Sequence, residues 1–173
     1  MPRSRLPPAR IVGAICASVP DADVGAFGLG IPYEHPLGHR GFTHSLLFAF
    51  AFSAFATFAY RRLARKTPSA RVVFAFLLIC LASHGLLDAM TDGGKGIGFF
   101  IPFDNRRYFL PFRPIHVSPI GFELAGDVLW SEVKWVWLPA ALITLAGKFL
   151  GPRLRRYEST RRDAQGSPNH QSE

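Results

Sequence analysis

The sequence predicts an all-α, polytopic membrane protein: about three transmembrane helices, a partial N-terminal helix, and a long irregular loop after the second span. Three observations carry that expectation. Apolar residues make up 49% of the 173 and charged residues 18%, with a mean hydropathy of +0.16, too apolar a balance for a typical soluble domain. The apolar residues fall in separate runs, of which three approach the roughly 20 residues that cross a bilayer. Basic residues cluster beside those runs, as the positive-inside bias produces.

In chain order, Met1 to Arg10 is basic and proline-rich, and Ile11 to Val19 is an apolar stretch ending at Pro20. At a rise of about 1.5 Å per residue, so short a stretch falls well short of a bilayer core of about 30 Å, so a partial helix is expected. The start resembles a signal peptide only superficially. Pro7 and Pro8 interrupt it, and Pro20-Asp-Ala-Asp23 lacks the small residues of a cleavage site. Gly25 to Gly38 is a Gly/Pro-rich loop.

Thr43 is placed to cap the first span, His44 to Tyr60, which has no Lys, Arg, Asp or Glu. Arg61, Arg62, Arg65 and Lys66 fill the short connection to the second span, Arg71 to Met90. Thr91 to Pro119 holds too many Gly and Pro residues for a continuous helix, and its Phe residues suggest short strands or an interface-lying loop. Trp135 to Leu150, with Val128 to Lys134, reaches spanning length despite Glu132 and Lys134. Arg153, Arg155, Arg156, Arg161 and Arg162 follow it, and Tyr157 to Glu173 is polar. The expected organisation is a membrane-embedded domain over 1–152 and a basic, disordered cytoplasmic tail over 153–173.

A net charge of +8 raises the question of nucleic acid. No basic-aromatic module or zinc finger accompanies it, so the charge is assigned to membrane topology and anionic headgroups, and no nucleic-acid partner is expected. Cys16 and Cys80 lie far apart within apolar runs. They read as small buried hydrophobes, not as a disulfide framework.

The chemistry starts at His84-Gly-Leu-Leu-Asp88. These two side chains, one helical turn apart, share a helix face inside an otherwise apolar run. Ionisable groups there are costly to leave unpaired and mark a site by default. A second histidine pair, His39-Arg-Gly-Phe-Thr-His44, precedes the first span. If the Arg61–Lys66 connection is cytoplasmic, then Asp21, Asp23, His39, His44, His84, Asp88 and the Thr91–Pro119 loop all fall on the non-cytoplasmic side. Imidazole with carboxylate suits a divalent metal, zinc first, with manganese or iron as alternatives.

His44, His84 and Asp88 form the expected ligand set. Asp21, Asp23 and His39 are expected to complete it, occupy a second ion site, or act as base and supporting shell. His39 is also a candidate ligand, as is Asp23; Gly38 and Gly41 allow the turn that His39 would need. Arg40, Arg106 and Arg107 are candidates to grip a phosphate or carboxylate. For Arg106, Arg107 and Arg113 the competing reading is an interfacial loop of basic and aromatic anchors. His35, His116 and His170 read as ordinary interfacial histidines.

At these residues the chain resembles the YdjM-like, LexA-regulated inner-membrane proteins, a family described as membrane-bound metal-dependent hydrolases. The resemblance rests on Pro20-Asp-Ala-Asp23, His39-Arg-Gly-Phe-Thr-His-Ser45, and Ser83-His-Gly-Leu-Leu-Asp88 with Thr91 and Gly94. Ile101-Pro102, Arg106, Arg107 and Pro111 complete it, so that it covers roughly Val19 to Pro119. It implies a bacterial inner-membrane location and a metal-dependent hydrolase. A distant similarity to zinc-dependent phospholipase C and related zinc nucleases implies a phosphoester or lipid-linked substrate.

Family members usually begin with a further apolar helix bearing a histidine, and Met1 to Val19 is too short to contain it. Either the start lies upstream of Met1, or one ligand is lost. Two other functions fit the same residues. One is a non-catalytic, stress-linked membrane protein, and the other is a proton- or metal-coupled transporter.

Overall fold

The computed structural model describes residues 9–64, 68–117 and 126–149. Arg65, Lys66 and the expected tail over 153–173 lie outside the described residues. Regular structure among the described residues is helical. The Thr91–Pro119 loop contributes only two isolated bridges, Thr91 with Ile115 and Ile97 with Tyr108, in place of strands.

The order is α1 (Ala9–Ser18), a 3-10 turn (Pro20–Val24), α2 (Gly25–Gly28), a second 3-10 turn (Phe42–His44), α3 (Leu46–Leu63), α4 (Ala70–Ala89) and α5 (Gly126–Glu132). Two compact units result, Met1–Pro119 and Ile120–Glu173.

Among the described residues, four helical segments are long and apolar enough to cross a membrane: Ala9–Gly28, Leu46–Leu63, Ala70–Ala89 and Gly126–Phe149. Three match the expected spans. The fourth extends the expected partial N-terminal helix. Pro20 does not end it, because it occupies the first position of the 3-10 turn, where its missing N–H is not needed. The helical path therefore continues through Asp21 and Asp23 to Gly28.

Ser45, not Thr43, caps α3, its hydroxyl accepting the Phe48 N–H at 3.1 Å. The Thr43 hydroxyl is committed to Asp23 instead. Ser69 caps α4 in the same way, accepting from Val72. Arg61 and Arg62 occupy the last turn of α3, where cations complement the helix dipole.

α3 and α4 pack along stripes of four-residue spacing. α4 buries Val73, Leu77, Leu81, Gly85 and Ala89, and α3 buries Ala49, Ser53 and Thr57. Small residues on one helix against leucines on the other allow the close approach that holds membrane helices together. α1 adds Cys16 to this core; neither cysteine is oxidised. The outward residues Phe50, Phe55, Phe58, Val72 and Ile79 are exposed and apolar, as a lipid-facing surface requires.

In the second unit, α5 runs through a π-helical turn (Val133–Trp137) to give the apolar segment Gly126–Phe149. Asp127 lies in its first turn, next to the positive end of the helix dipole.

Candidate metal centre

Two close approaches bring separate segments to one point. At Gly13, a Cβ would stand 2.6 Å from the Phe76 ring, so its absence lets α1 lie against α4. At Gly85, a Cβ would stand 3.3 Å from the His44 carbonyl oxygen, so the turn carrying His44 rests directly on α4. Asp21 thus arrives from the turn after α1, His44 from the turn before α3, and His84 with Asp88 from the last turns of α4.

The ligand atoms of Asp21, His44, His84 and Asp88 all lie within 4.8 Å of one another. His44 Nε2 stands 3.2 Å from Asp88 Oδ2 and 3.6 Å from Asp21 Oδ1. His84 Nε2 stands 3.2 Å from Asp21 Oδ1 and 3.6 Å from Asp88 Oδ2. Ligands about 2.0–2.1 Å from a tetrahedral zinc are about 3.3–3.4 Å apart, so these separations match an ion's coordination shell.

Two further observations fit a cation. His44 Nε2 and Asp88 Oδ2 are buried and face each other at 3.2 Å, yet neither makes a well-formed hydrogen bond, although buried polar atoms are rarely left so. The three carboxylates Asp21, Asp23 and Asp88 are also accompanied by one guanidinium, Arg40, which bonds Asp88 Oδ1, while its backbone N–H bonds Asp23. With both imidazoles neutral, as ligands of a bound cation would be, three carboxylates and one guanidinium leave an excess of two negative charges, which one divalent ion would balance. Burial alone would push the His44 imidazolium toward its neutral form. Asp21, Asp23 and Asp88 around it prevail and hold its pKa up to about 10, which shows how strongly the position attracts positive charge. The Asp21 side chain is half exposed, so the cluster is open on that side.

Behind the cluster, Asp23 is almost fully buried and heavily engaged. Its Oδ1 meets His39 Nδ1 at 2.6 Å. Its Oδ2 accepts from the Arg40 backbone N–H at 3.1 Å and from the Thr43 hydroxyl at 2.5 Å, and His44 Nδ1 stands 3.1 Å away. A proton on His44 Nδ1 leaves the Nε2 lone pair facing Asp21 and Asp88, which is the tautomer a metal ligand needs.

Arg40 has a left-handed backbone (φ 59°), a conformation uncommon outside glycine. Its guanidinium donates to Asp88 Oδ1 at 3.4 Å, to the Thr91 hydroxyl at 3.1 Å and to the Gly93 carbonyl at 3.2 Å. The loop that carries it turns tightly at Gly38 and Gly41, where a Cβ would collide with the carbonyl oxygens of Pro32 and Pro36.

The structure separates the expected site residues by position. Asp21 joins His44, His84 and Asp88. Asp23 and His39, also considered as ligands, stand one layer back, because the Asp23 oxygens are taken by four donors. Arg40 is buried against Asp88 and points at no open surface. Arg107 donates to the carbonyls of His39, Tyr33 and His35 at 2.9, 2.7 and 3.2 Å, so it ties the loop together. Arg106 is exposed and bonds Asp104 at 2.8 Å. His35 accepts from the Leu37 N–H, His116 pairs with Asp92, and His170 lies outside the described residues. Sequence reasoning missed Thr43 and Thr91 as partners of the site. Their positions, beside His44 and three residues after Asp88, were the available signal.

A family model for the YdjM inner membrane protein matches residues 2–154. The inner membrane protein YbcI of Escherichia coli (strain K12) is 41% identical over 147 residues, covering 81% of this chain and 84% of its own length. No solved structure gives a significant match.

Proposed function

The chain belongs to the YdjM family of inner membrane proteins, and from that premise we propose that it is a membrane-bound, metal-dependent hydrolase acting on a phosphoester at the bilayer surface. The observation that carries this reading is the convergence of His44 Nε2 and Asp88 Oδ2, both buried and neither in a well-formed hydrogen bond, with Asp21 and His84 at ligand spacing. Two imidazoles and two carboxylates favour zinc, and they also accommodate manganese or iron. Such an ion, when bound, lowers the pKa of a water and polarises a phosphoryl oxygen.

The protein's residues divide the remaining work. His44, His84, Asp21 and Asp88 hold the ion. Asp23 fixes the His44 tautomer, and Arg40 restrains Asp88 through Oδ1 so that Oδ2 faces inward. His39 binds Asp23 through Nδ1, leaving Nε2 to exchange a proton with substrate or solvent, the geometry of a general acid–base pair. The cluster stands at the ends of α3 and α4, not at mid-span, which favours chemistry on a headgroup phosphate over transport. Arg61 and Arg62 at the other end, in a basic stretch of the sequence, support a non-cytoplasmic site.

The test is metal content. Full-length protein in detergent, equilibrated with Zn²⁺ and exchanged into metal-free buffer, is expected to retain about one ion per chain by mass spectrometry. The double variant His84→Ala/Asp88→Ala is expected to lose it while keeping its helical circular dichroism. Metal-dependent hydrolysis of a lipid phosphoester then follows. A metal-free wild type, or full retention by the double variant, overturns the reading.

A further inference from the structure

The opposite end of the α3–α4 hairpin carries a second feature, unrelated to the metal cluster. A cavity of about 400 Å³ opens between the last turns of α3 and the first turn of α4, lined by Thr57, Phe58, Arg61, Arg62 and Ala70. We propose that it binds the phosphate of an anionic phospholipid from the surrounding bilayer.

Four observations meet there. Arg61 and Arg62 are exposed, and their guanidinium groups are lightly held. Among the described residues, Arg61 makes a long contact to the Pro68 carbonyl at 3.5 Å, and Arg62 lies over the Phe58 ring at 5.0 Å. Both keep N–H donors for a forked contact with phosphate. Ala70 is the first residue of a 20-residue helix; Ser69 takes the Val72 N–H, and the dipole at this helix start favours an anion.

Thr57 contributes the third observation. It lines the cavity and is 6% exposed, and its buried hydroxyl has no hydrogen-bond partner among the described residues, so an unsatisfied polar group lies beside the cavity. The fourth is the sign and texture of the lining. Among the described residues it contains no carboxylate, and Phe58 and Ala70 continue into the exposed apolar faces carrying Phe55 and Val72. Those faces offer acyl chains a track beneath a phosphate held at the span ends. Basic pockets between helices at a membrane face bind anionic headgroups on this principle, whereas a free phosphate would have no use for the apolar track.

The experiment is native mass spectrometry of the full chain in detergent, titrated with phosphatidylglycerol or phosphatidylcholine, with inorganic phosphate as a competitor. Phosphatidylglycerol is expected to be retained at least tenfold better than phosphatidylcholine, and millimolar phosphate is expected not to displace it. Arg61→Ala/Arg62→Ala should cut that retention at least tenfold. Arg113→Ala, which removes a cation elsewhere, should leave it unchanged.

Ala70→Asp guards against misfolding. An acidic residue in the first turn favours the helix yet repels phosphate, so thermal stability should hold or rise while retention falls. Equal retention of the two lipids overturns the proposal, as does retention insensitive to the arginines. Displacement by phosphate alone also overturns it, because it marks a site for the free ion.

Discussion

The two ends of the α3–α4 hairpin are built from similar letters and behave oppositely. At one end, His39-Arg-Gly-Phe-Thr-His44 meets His84 and Asp88. The ionisable groups there are buried or half-buried, and each is held by partners from distant segments. At the other end, Tyr60-Arg-Arg62 carries as much charge, but its guanidinium groups are exposed and make only local contacts. Charge beside a membrane becomes a site when separate segments converge on it and remove its water. Left in water it sets topology and meets lipid.

Breaking the convergence should cost most at the loop that delivers His39, Arg40 and His44. Gly41→Val forces a side chain into the Pro36 carbonyl, and backbone cannot yield cheaply. A loss of about 3 kcal/mol is expected from overpacking, read by thermal unfolding in detergent, together with loss of bound metal. Next comes Asp23→Asn, which keeps the shape but no longer fixes His44 Nδ1. Metal affinity should fall about 10–100-fold in a competition titration against a chelating indicator, with helicity unchanged.

Arg40→Ala leaves Asp88 Oδ1 and the Thr91 hydroxyl without that donor. The expected cost is about 1–3 kcal/mol for a buried acceptor left unpaired, again by thermal unfolding. The opposite end supplies the contrast. Arg61→Ala/Arg62→Ala should shift stability by no more than about 0.5 kcal/mol, since neither guanidinium is buried.

The smallest effect belongs to the shared interface. Ser53 is fully buried and its hydroxyl has no partner, so Ser53→Ala should be neutral or slightly stabilising. A large loss there would mean that the hydroxyl is bonded after all.

Much of this was legible in the sequence. Long apolar runs gave the three expected spans, because hydropathy over a bilayer's thickness depends on composition and not on tertiary detail. The His84–Asp88 pair followed from helical spacing alone. The N-terminal span was not legible, since Pro20 reads locally as a stop and only its place at the head of a 3-10 turn makes it harmless.

The division between Asp21 and Asp23 was also hidden. At about three residues per turn, side chains two apart point in different directions, so one faces the histidines and the other backs His44. Which of them does which depends on how α1 meets α4, a contact set by Gly13. Arg107 likewise looked like a phosphate ligand because nothing local to it reveals that carbonyls some seventy residues earlier in the chain occupy its fork.

Asp21, His44 and the His84–Asp88 pair belong to three successive membrane crossings, and none of these segments brings more than two of the four ligands. A nascent chain halted after its second crossing therefore lacks two of the four side chains of the candidate centre, His84 and Asp88. The centre comes into being only when the third crossing has been inserted and docked, so metal occupancy would double as a readout of completed biogenesis.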